Sequence, residues 1–493
     1  MKTFLITGIL LAILLGGCNN DHFITDKAYR QKVETQFEKQ KEIAKNRSKQ
    51  LFGIFDQGLS TRETEAMKFL YAYSSLNDLA DYDGKFFLQN VRSSFAARDT
   101  FSWGKTVPEN IFRHFVLPIR VNNENLDSSR WVFFGGLKDR IKRLAMKEAV
   151  LEVNHWCHEK VTYRGSDGRT SSPLASVKTA WGRCGEESTF TVAALRSVGI
   201  PARQCYTPRW AHSDDNHAWV EVWVDGKWHF IGACEPDAGL DLAWFTKPAK
   251  RAMLVNTTVF GDYEGPEEIL QKDELFTKIN VLENYAPVKK VFAKVTDLQN
   301  QTIDSATVEF QLYNYAEFYP LFKTATGKDG LCSFKTGYGD LLVWAAKDGK
   351  YGFSKLDVRT TDTLTIILDH APGQAYEIDL DLVPPAELEL TTTVSDSAKK
   401  NNSERLTFED GLRSGYEATF IDSAKCNRFA RLVSLNPDSL WNFMHKSRGN
   451  WRELTSFITQ VTPEKHPLIF PLFVNISEKD LRDIDTIVLL DQV

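Results

Sequence analysis

The chain has no CxxC pair anywhere in its 493 residues, and its seven cysteines are irregularly spaced. That argues against a disulfide framework and against a cysteine-rich zinc site. It also lacks a long run of either charge, since 60 Lys and Arg are spread against 65 Asp and Glu for a formal net charge of -5. Without a basic stripe to neutralise phosphates, nucleic acid is not an expected partner. No internal repeat is evident. The apolar run at the N-terminus, Phe4 to Leu15, is twelve residues long. A bilayer-spanning helix needs about twenty.

What is present begins with that run. Lys2, the apolar stretch and the small residues Gly16 and Gly17 have the layout of a secretory signal. Leu15-Gly16-Gly17-Cys18 resembles the bacterial lipobox, followed by the polar Asn19-Asn20-Asp21. The resemblance implies cleavage before Cys18, acylation of its sulfur, and a lipid-anchored protein of the bacterial cell envelope, at the outer membrane. The remaining length, at about 100–200 residues per domain, predicts three or four domains. The many aromatics, 32 Phe with 15 Tyr and 12 Trp, are expected mainly in cores and sandwich strands.

Residues 1–18 are read as the signal peptide and 19–115 as a helical N-terminal region. Its first segment, from Asp26 to Ser48, is charged with widely spaced apolar residues, which fits a stalk or a first helix. Ser60 and Glu63 form a capping-box pattern ahead of a helical run. A core unit is placed at 116–284, where a helix and two strands follow a polar loop at 164–173. Short alternating strands with Gly-containing turns over 285–371 predict a β-sandwich of Ig-like size. Residues 372–493 are expected to be a mixed α/β segment, opening on the alternating Tyr376 to Leu382. The whole is thus a multidomain α+β protein.

Two residues in the core unit carry the chemistry. Cys184 opens a run with helical spacing at Phe190, Ala194, Leu195 and Val198, closed by Gly199 and Pro201. A thiol at a helix N-terminus meets unpaired backbone N–H groups and the positive dipole end, which favour a thiolate and can receive an oxyanion. His217 begins a strand in which Ala218, Val220, Val222 and Val224 share one face and Trp219, Glu221 and Trp223 lie on the other. Asp225-Gly226 predicts a two-residue hairpin turn that pairs Val224 with Lys227.

The Cys184-led helix ending in Gly199-Ile200-Pro201, then His217-Ala218-Trp219-Val220-Glu221-Val222, a Gly turn and Trp228, together resemble the core of the transglutaminase-like superfamily, a papain-like fold. The resemblance covers roughly Val161 to Glu235. It implies Cys184 as nucleophile and His217 as general base. Relatives place an Asp four residues after the Trp matching Trp228, where this chain has Gly232. A bulge after Gly232 would bring Glu235 to the imidazole as its orienting acid, with Asp237 the alternative. Trp181, Trp219 and His212 are candidate substrate-binding residues. Arg183, Glu186 and Glu187 flank the nucleophile, the two Glu complementing the helix dipole. His212, Asp214 and Asp215, on the loop before His217, could be taken for a metal site, but loop carboxylates ahead of a strand are expected to be solvated; neither metal nor cofactor is expected.

The expected activity is thiol-dependent acyl chemistry on a peptide or side-chain amide of a peptide or protein substrate, with hydrolysis ahead of transfer. The alternative is a catalytically impaired scaffold or binding lipoprotein, for which Gly232 speaks.

Overall fold

The computed structural model describes residues 22–493 apart from 167, 374 and 390–393. Cys18 lies outside the described residues. No helix among them is long and apolar enough to cross a membrane.

The N-terminal part is helical and does not stand apart. Asp26 caps the helix Lys27–Ile43 by accepting from Ala28 N and Tyr29 N at 2.7 and 3.1 Å. Tyr29, Val33 and Phe37, spaced four residues apart, are buried together on one face. The segment is therefore a first helix and not a stalk. Ser60 and Glu63 form the reciprocal capping box of helix Thr61–Ala72. One apolar cluster runs from Phe23 through these helices and through Ser129–Ile141 and Met146–His158 to Phe190, Val220 and Cys234. The helix that carries Cys184 thus shares a core with the N-terminal region.

Two short strands, β1 (Thr162–Tyr163) and β2 (Trp181–Gly182), pair in parallel just before that helix. The main sheet is antiparallel and is made of β3 (Ala202–Thr207), β4 (His217–Val224), β5 (Lys227–Ile231), β6 (Asn256–Phe260), β7 (Glu268–Lys272) and β8 (Phe276–Asn280), in the order β5-β4-β3-β6-β8-β7. Val224 pairs with Lys227, and both turn residues, Asp225 (φ 51°) and Gly226 (φ 87°), are left-handed. That is the turn whose twist matches a right-handed hairpin. β4 is buried on both faces. Val220, Val222 and Val224 join the helical core, while Trp219 joins a second cluster with Phe230, Phe245 and Tyr285. Glu221 is buried there too, paired with Arg203 across the β3–β4 ladder at 2.6 Å and bonded by Tyr285 Oη at 2.6 Å.

The next unit has β9 (Lys289–Thr296), β10 (Thr307–Asn314), β11 (Glu317–Ala325), β12 (Leu331–Thr336), β13 (Asp340–Lys347), β14 (Lys350–Asp357) and β15 (Thr363–Ile367). They form a sheet β11-β10-β13-β14 and a sheet β12-β9-β15, in which β15 runs parallel to β9. The inner faces share Val291, Val308, Phe310, Phe334, Val343 and Ile366. Two strands escape the alternation rule. β11 carries Pro320 and a register shift against β10, as an edge strand can, and β14 is largely polar with Gly352 inside it.

The C-terminal segment corrects the expectation of a mixed unit. Tyr376 to Leu382 form no strand, and from Asp396 onward the chain is helical, with a core of its own around Leu440, Leu454, Phe457 and Phe473. Pro384-Pro385 end the alternating stretch, which crosses the sandwich on isolated bonds such as Val383 N to Asp340 Oδ2 at 2.9 Å.

Candidate active site

Cys184 is the first residue of the helix Cys184–Ser197, which packs on β3 and β4. The helix starts there because Arg183 is extended (ψ 173°) and its N–H is taken by the carboxylate of Glu186 at 3.0 Å. Glu186 also accepts from Ser171 N at 3.3 Å and from Lys479 Nζ, on the helix Glu478–Asp483, at 3.0 Å. Glu186 is 2% exposed and Lys479 3%. A residue far down the chain thereby fixes the helix start.

The half-buried sulfur sits beside the Ala218 backbone amide, which places it against the start of β4. Burial pushes the Cys184 thiol up from its ordinary value, and the Ala218 amide and Arg183 oppose that without reversing it. The helix N-terminus alone does not make this resting thiol a thiolate. Cys184, Ala218, Gln204, Asn256, Thr258 and Lys278 are among the residues lining a cleft of about 320 Å³. His217 is not among them.

His217 opens β4 opposite Thr207 and is buried against rings: Trp219 at 5.7 Å between centroids, Trp244 at 4.8 Å and Phe245 at 4.8 Å. Burial in this apolar setting pushes its pKa down to about 4. Its Nε2 has no hydrogen-bond partner among the described residues, and no hydrogen bond joins it to Cys184 there. The imidazole is therefore neutral at pH 7. Cys184 thus rests as a neutral thiol and His217 as a neutral imidazole, the sulfur lying against Ala218, the residue after His217.

The third position is not filled as the bulge argument expected. After β5 the chain makes a tight turn, with Glu235 N donating to Gly232 O at 3.3 Å and Cys234 left-handed at φ 56°. Asn154 holds that turn, donating to Gly232 O at 2.7 Å and accepting from Cys234 N at 3.0 Å. Glu235 receives the indole N–H of Trp244 at 2.8 Å, and the same ring packs on His217 at 4.8 Å. A Cβ on Gly232 would meet Glu235 O at 2.8 Å and the Glu235 carboxylate at 3.5 Å, so Glu235 occupies the space beside position 232. Burial raises its pKa, and the Trp244 N–H opposes the shift. Asp237 accepts from its own neighbour, Ala238 N, at 2.7 Å. Neither carboxylate is bonded to the imidazole among the described residues.

The other expected site residues are placed as follows. Trp181 lies between the guanidinium groups of Arg164 and Arg448, each 3.7 Å from its ring, so it joins the C-terminal helices to the core. Trp219 is fully buried and donates to Tyr285 Oη at 2.8 Å, forming a floor under His217. His212 packs on Trp210 at 5.6 Å, and its Nδ1 is buried without a partner among the described residues. Asp214 accepts from Tyr315 N at 2.8 Å. No group of three or more His, Cys, Asp or Glu among the described residues is placed to hold a metal ion. The described cysteines are all free thiols; Cys157 and Cys234 adjoin in the core, while Cys205 lies with Glu221 and Tyr285.

Sequence reasoning missed Asn154, Glu187, Trp244 and Lys278. Asn154 had a signal, being a polar residue on the buried stripe Val150, Val153, Cys157. Glu187 fits the helix dipole by position, yet it is 2% exposed and its Oε1 has no partner among the described residues. Burial, with Cys234, Glu235 and Glu186 nearby, raises its pKa well above the usual carboxylate range.

Residues 136–232 match the model of the transglutaminase-like superfamily, and this stretch is a transglutaminase-like domain. An uncharacterised protein of Mycobacterium leprae is 29% identical over 96 residues, which cover 17% of this chain and 34% of that protein. The chain thus spans about a third of that relative's length. A solved structure of a candidate cysteine protease from Cytophaga hutchinsonii aligns at 18% identity with a TM-score of 0.21, covering 33% of this chain and 61% of that one.

Proposed function

We propose that this protein is a thiol-dependent hydrolase or acyltransferase acting on peptide or side-chain amides in the bacterial envelope, anchored there by lipid on Cys18. The observation that carries the reading is the position of Cys184 within a transglutaminase-like domain: first residue of a helix, on a polar cleft, against the first residues of β4.

The neutral pair sets the order of events. As the Cys184 sulfur bonds to the amide carbonyl carbon, its proton passes to His217, and the carbonyl oxygen becomes an oxyanion at the Cys184 backbone N–H. The C–N bond then breaks, and His217 returns the proton to the leaving amine. A thioester remains. Water or an amine attacks it while giving a proton to His217, and that proton returns to sulfur as the thiol leaves. With no carboxylate bonded to the imidazole among the described residues, its protonated form is stabilised only within the transition state. The sandwich is read as an Ig-like module beside this core.

The test is release of ammonia or amine from a panel of Nα-protected glutaminyl peptides, with hydroxylamine as competing acceptor. Turnover is expected, with formation of hydroxamate, and its loss in Cys184→Ala. Iodoacetamide should alkylate Cys184 faster as pH rises above 7, because the thiol begins protonated. Turnover that persists in Cys184→Ala overturns the proposal. The His217 Nε2, unpartnered among the described residues, favours a second reading, an impaired binding scaffold. No turnover on the panel, with Cys184 alkylated no faster than the buried thiols, supports that reading instead.

A further inference from the structure

Beside Cys184 the cleft is lined by amides and hydroxyls, and among its described lining residues there is no Asp or Glu. Two cations line it. Arg183 is engaged, donating to Gly168 O at 2.5 Å and to Thr170 Oγ1 at 3.4 Å, with Glu186 at 3.5 Å. Lys278 is different. It stands on β8, paired with Thr258 on one side and Gln271 on the other, so neither adjacent strand offers it an acid at that register. Among the described residues no hydrogen bond or ion pair is made by its ammonium, although the side chain is half-buried. Burial alone moves its pKa down, with no carboxylate to counter the shift. A desolvated ammonium without a counter-ion is costly, and most lysines avoid the situation by reaching water or an acid. Thr258, its cross-strand neighbour, and Asn256, two residues before, line the same cleft.

We propose that Lys278, with Thr258 and Asn256 beside it, forms an anion subsite of the Cys184 cleft, and that the substrate is a polar peptide bearing a carboxylate close to the amide that is attacked. The inference rests on the acyl-transfer reading for its chemistry, but not for its binding. Cys184 and Lys278 line one cleft of about 320 Å³, so the carboxylate is expected close in sequence to the scissile amide, and a spacing of about two residues on an extended chain is the one tested. An ammonium selects by point charge and not by a planar fork, so an acidic side chain and a terminal carboxylate are both accepted. Apolar peptides would gain little from walls of amide and hydroxyl.

The experiment uses the full chain with Cys184→Ala, which binds without turning over. Two isosteric probes, acetyl-Gln-Ala-Glu-amide and acetyl-Gln-Ala-Gln-amide, are titrated by calorimetry. The Glu probe should bind about tenfold more tightly, as expected for a partly desolvated charge pair, and the advantage should shrink in high salt. Adding Lys278→Met should level the two probes, and Lys278→Arg should restore part of the difference. Comparable thermal unfolding of these variants checks folding. Equal affinity for both probes, a preference that survives Lys278→Met, or failure of both probes to bind overturns the subsite. The two proposals fail separately: charge preference without any Cys184-dependent turnover sinks the enzyme reading alone, and turnover without charge preference sinks the subsite alone.

Discussion

The two halves of the proposed dyad sit in surroundings built from opposite materials. Around Cys184 the structure uses charges and hydrogen bonds: Glu186 ties Arg183 N, Ser171 N and Lys479 together at the helix start, and the cleft beyond is polar. Around His217 it uses rings, with Trp219, Trp244 and Phe245 on the imidazole and Nε2 unpartnered among the described residues. The contrast teaches that Cys184 is positioned by electrostatics and His217 by packing. An imidazole held by packing rests neutral at pH 7.

The largest expected break in this comparison is at Glu186. Glu186→Gln breaks the buried Glu186–Lys479 pair, which should cost about 3–5 kcal/mol of stability. Chemical denaturation checks this, and limited proteolysis should show the C-terminal helices released. A loss under 1 kcal/mol would mean that the helix start does not depend on the pair. Lys479→Met in the same chain should recover part of the loss.

Next comes the His217 side. Its folded pKa of about 4 lies below the ordinary value of about 6.5, so the folded state holds this proton more weakly than the unfolded state. The neutral ring's contribution is fully present above pH 6.5 and is lost as pH falls toward 4, about 3 kcal/mol in all. His217→Phe, which keeps a ring in the cage, should flatten that part of the pH profile. A profile unchanged between the two proteins would show that the imidazole is not desolvated as described.

The smallest effect concerns Glu187, the exception on the polar side. Its raised pKa means that stability is full below about pH 4.5 and declines as pH rises toward the folded pKa. Glu187→Gln should remove the decline and gain about 1–2 kcal/mol at pH 8, with little change at pH 5. A loss at pH 8 would instead show that the ionised carboxylate has a partner.

Much of the site was legible because it is local. Helical spacing after Cys184, alternation after His217 and the Asp225-Gly226 turn each follow from a few consecutive residues, and the Val224–Lys227 register appears as expected. Glu235 shows where local reasoning ends. The sequence after Gly232 suits a bulge or a turn equally, and Asn154, on a helix far upstream, selects the turn. Trp181 has the look of a cleft aromatic until the C-terminal helices bring Arg448 onto it. The same blindness applied to Tyr376 to Leu382, whose alternation finds no ladder to join.

By itself, then, the sequence determined the elements that carry Cys184 and His217, because backbone geometry and side-chain period are set by near neighbours. Tertiary structure alone decided which carboxylates have partners. Glu186 and Glu187 are adjacent, chemically identical and equally buried, yet Lys479 reaches only the first. The free energy of a buried charge depends on what stands within a few ångströms of it, and at this helix start that group comes from nearly three hundred residues away.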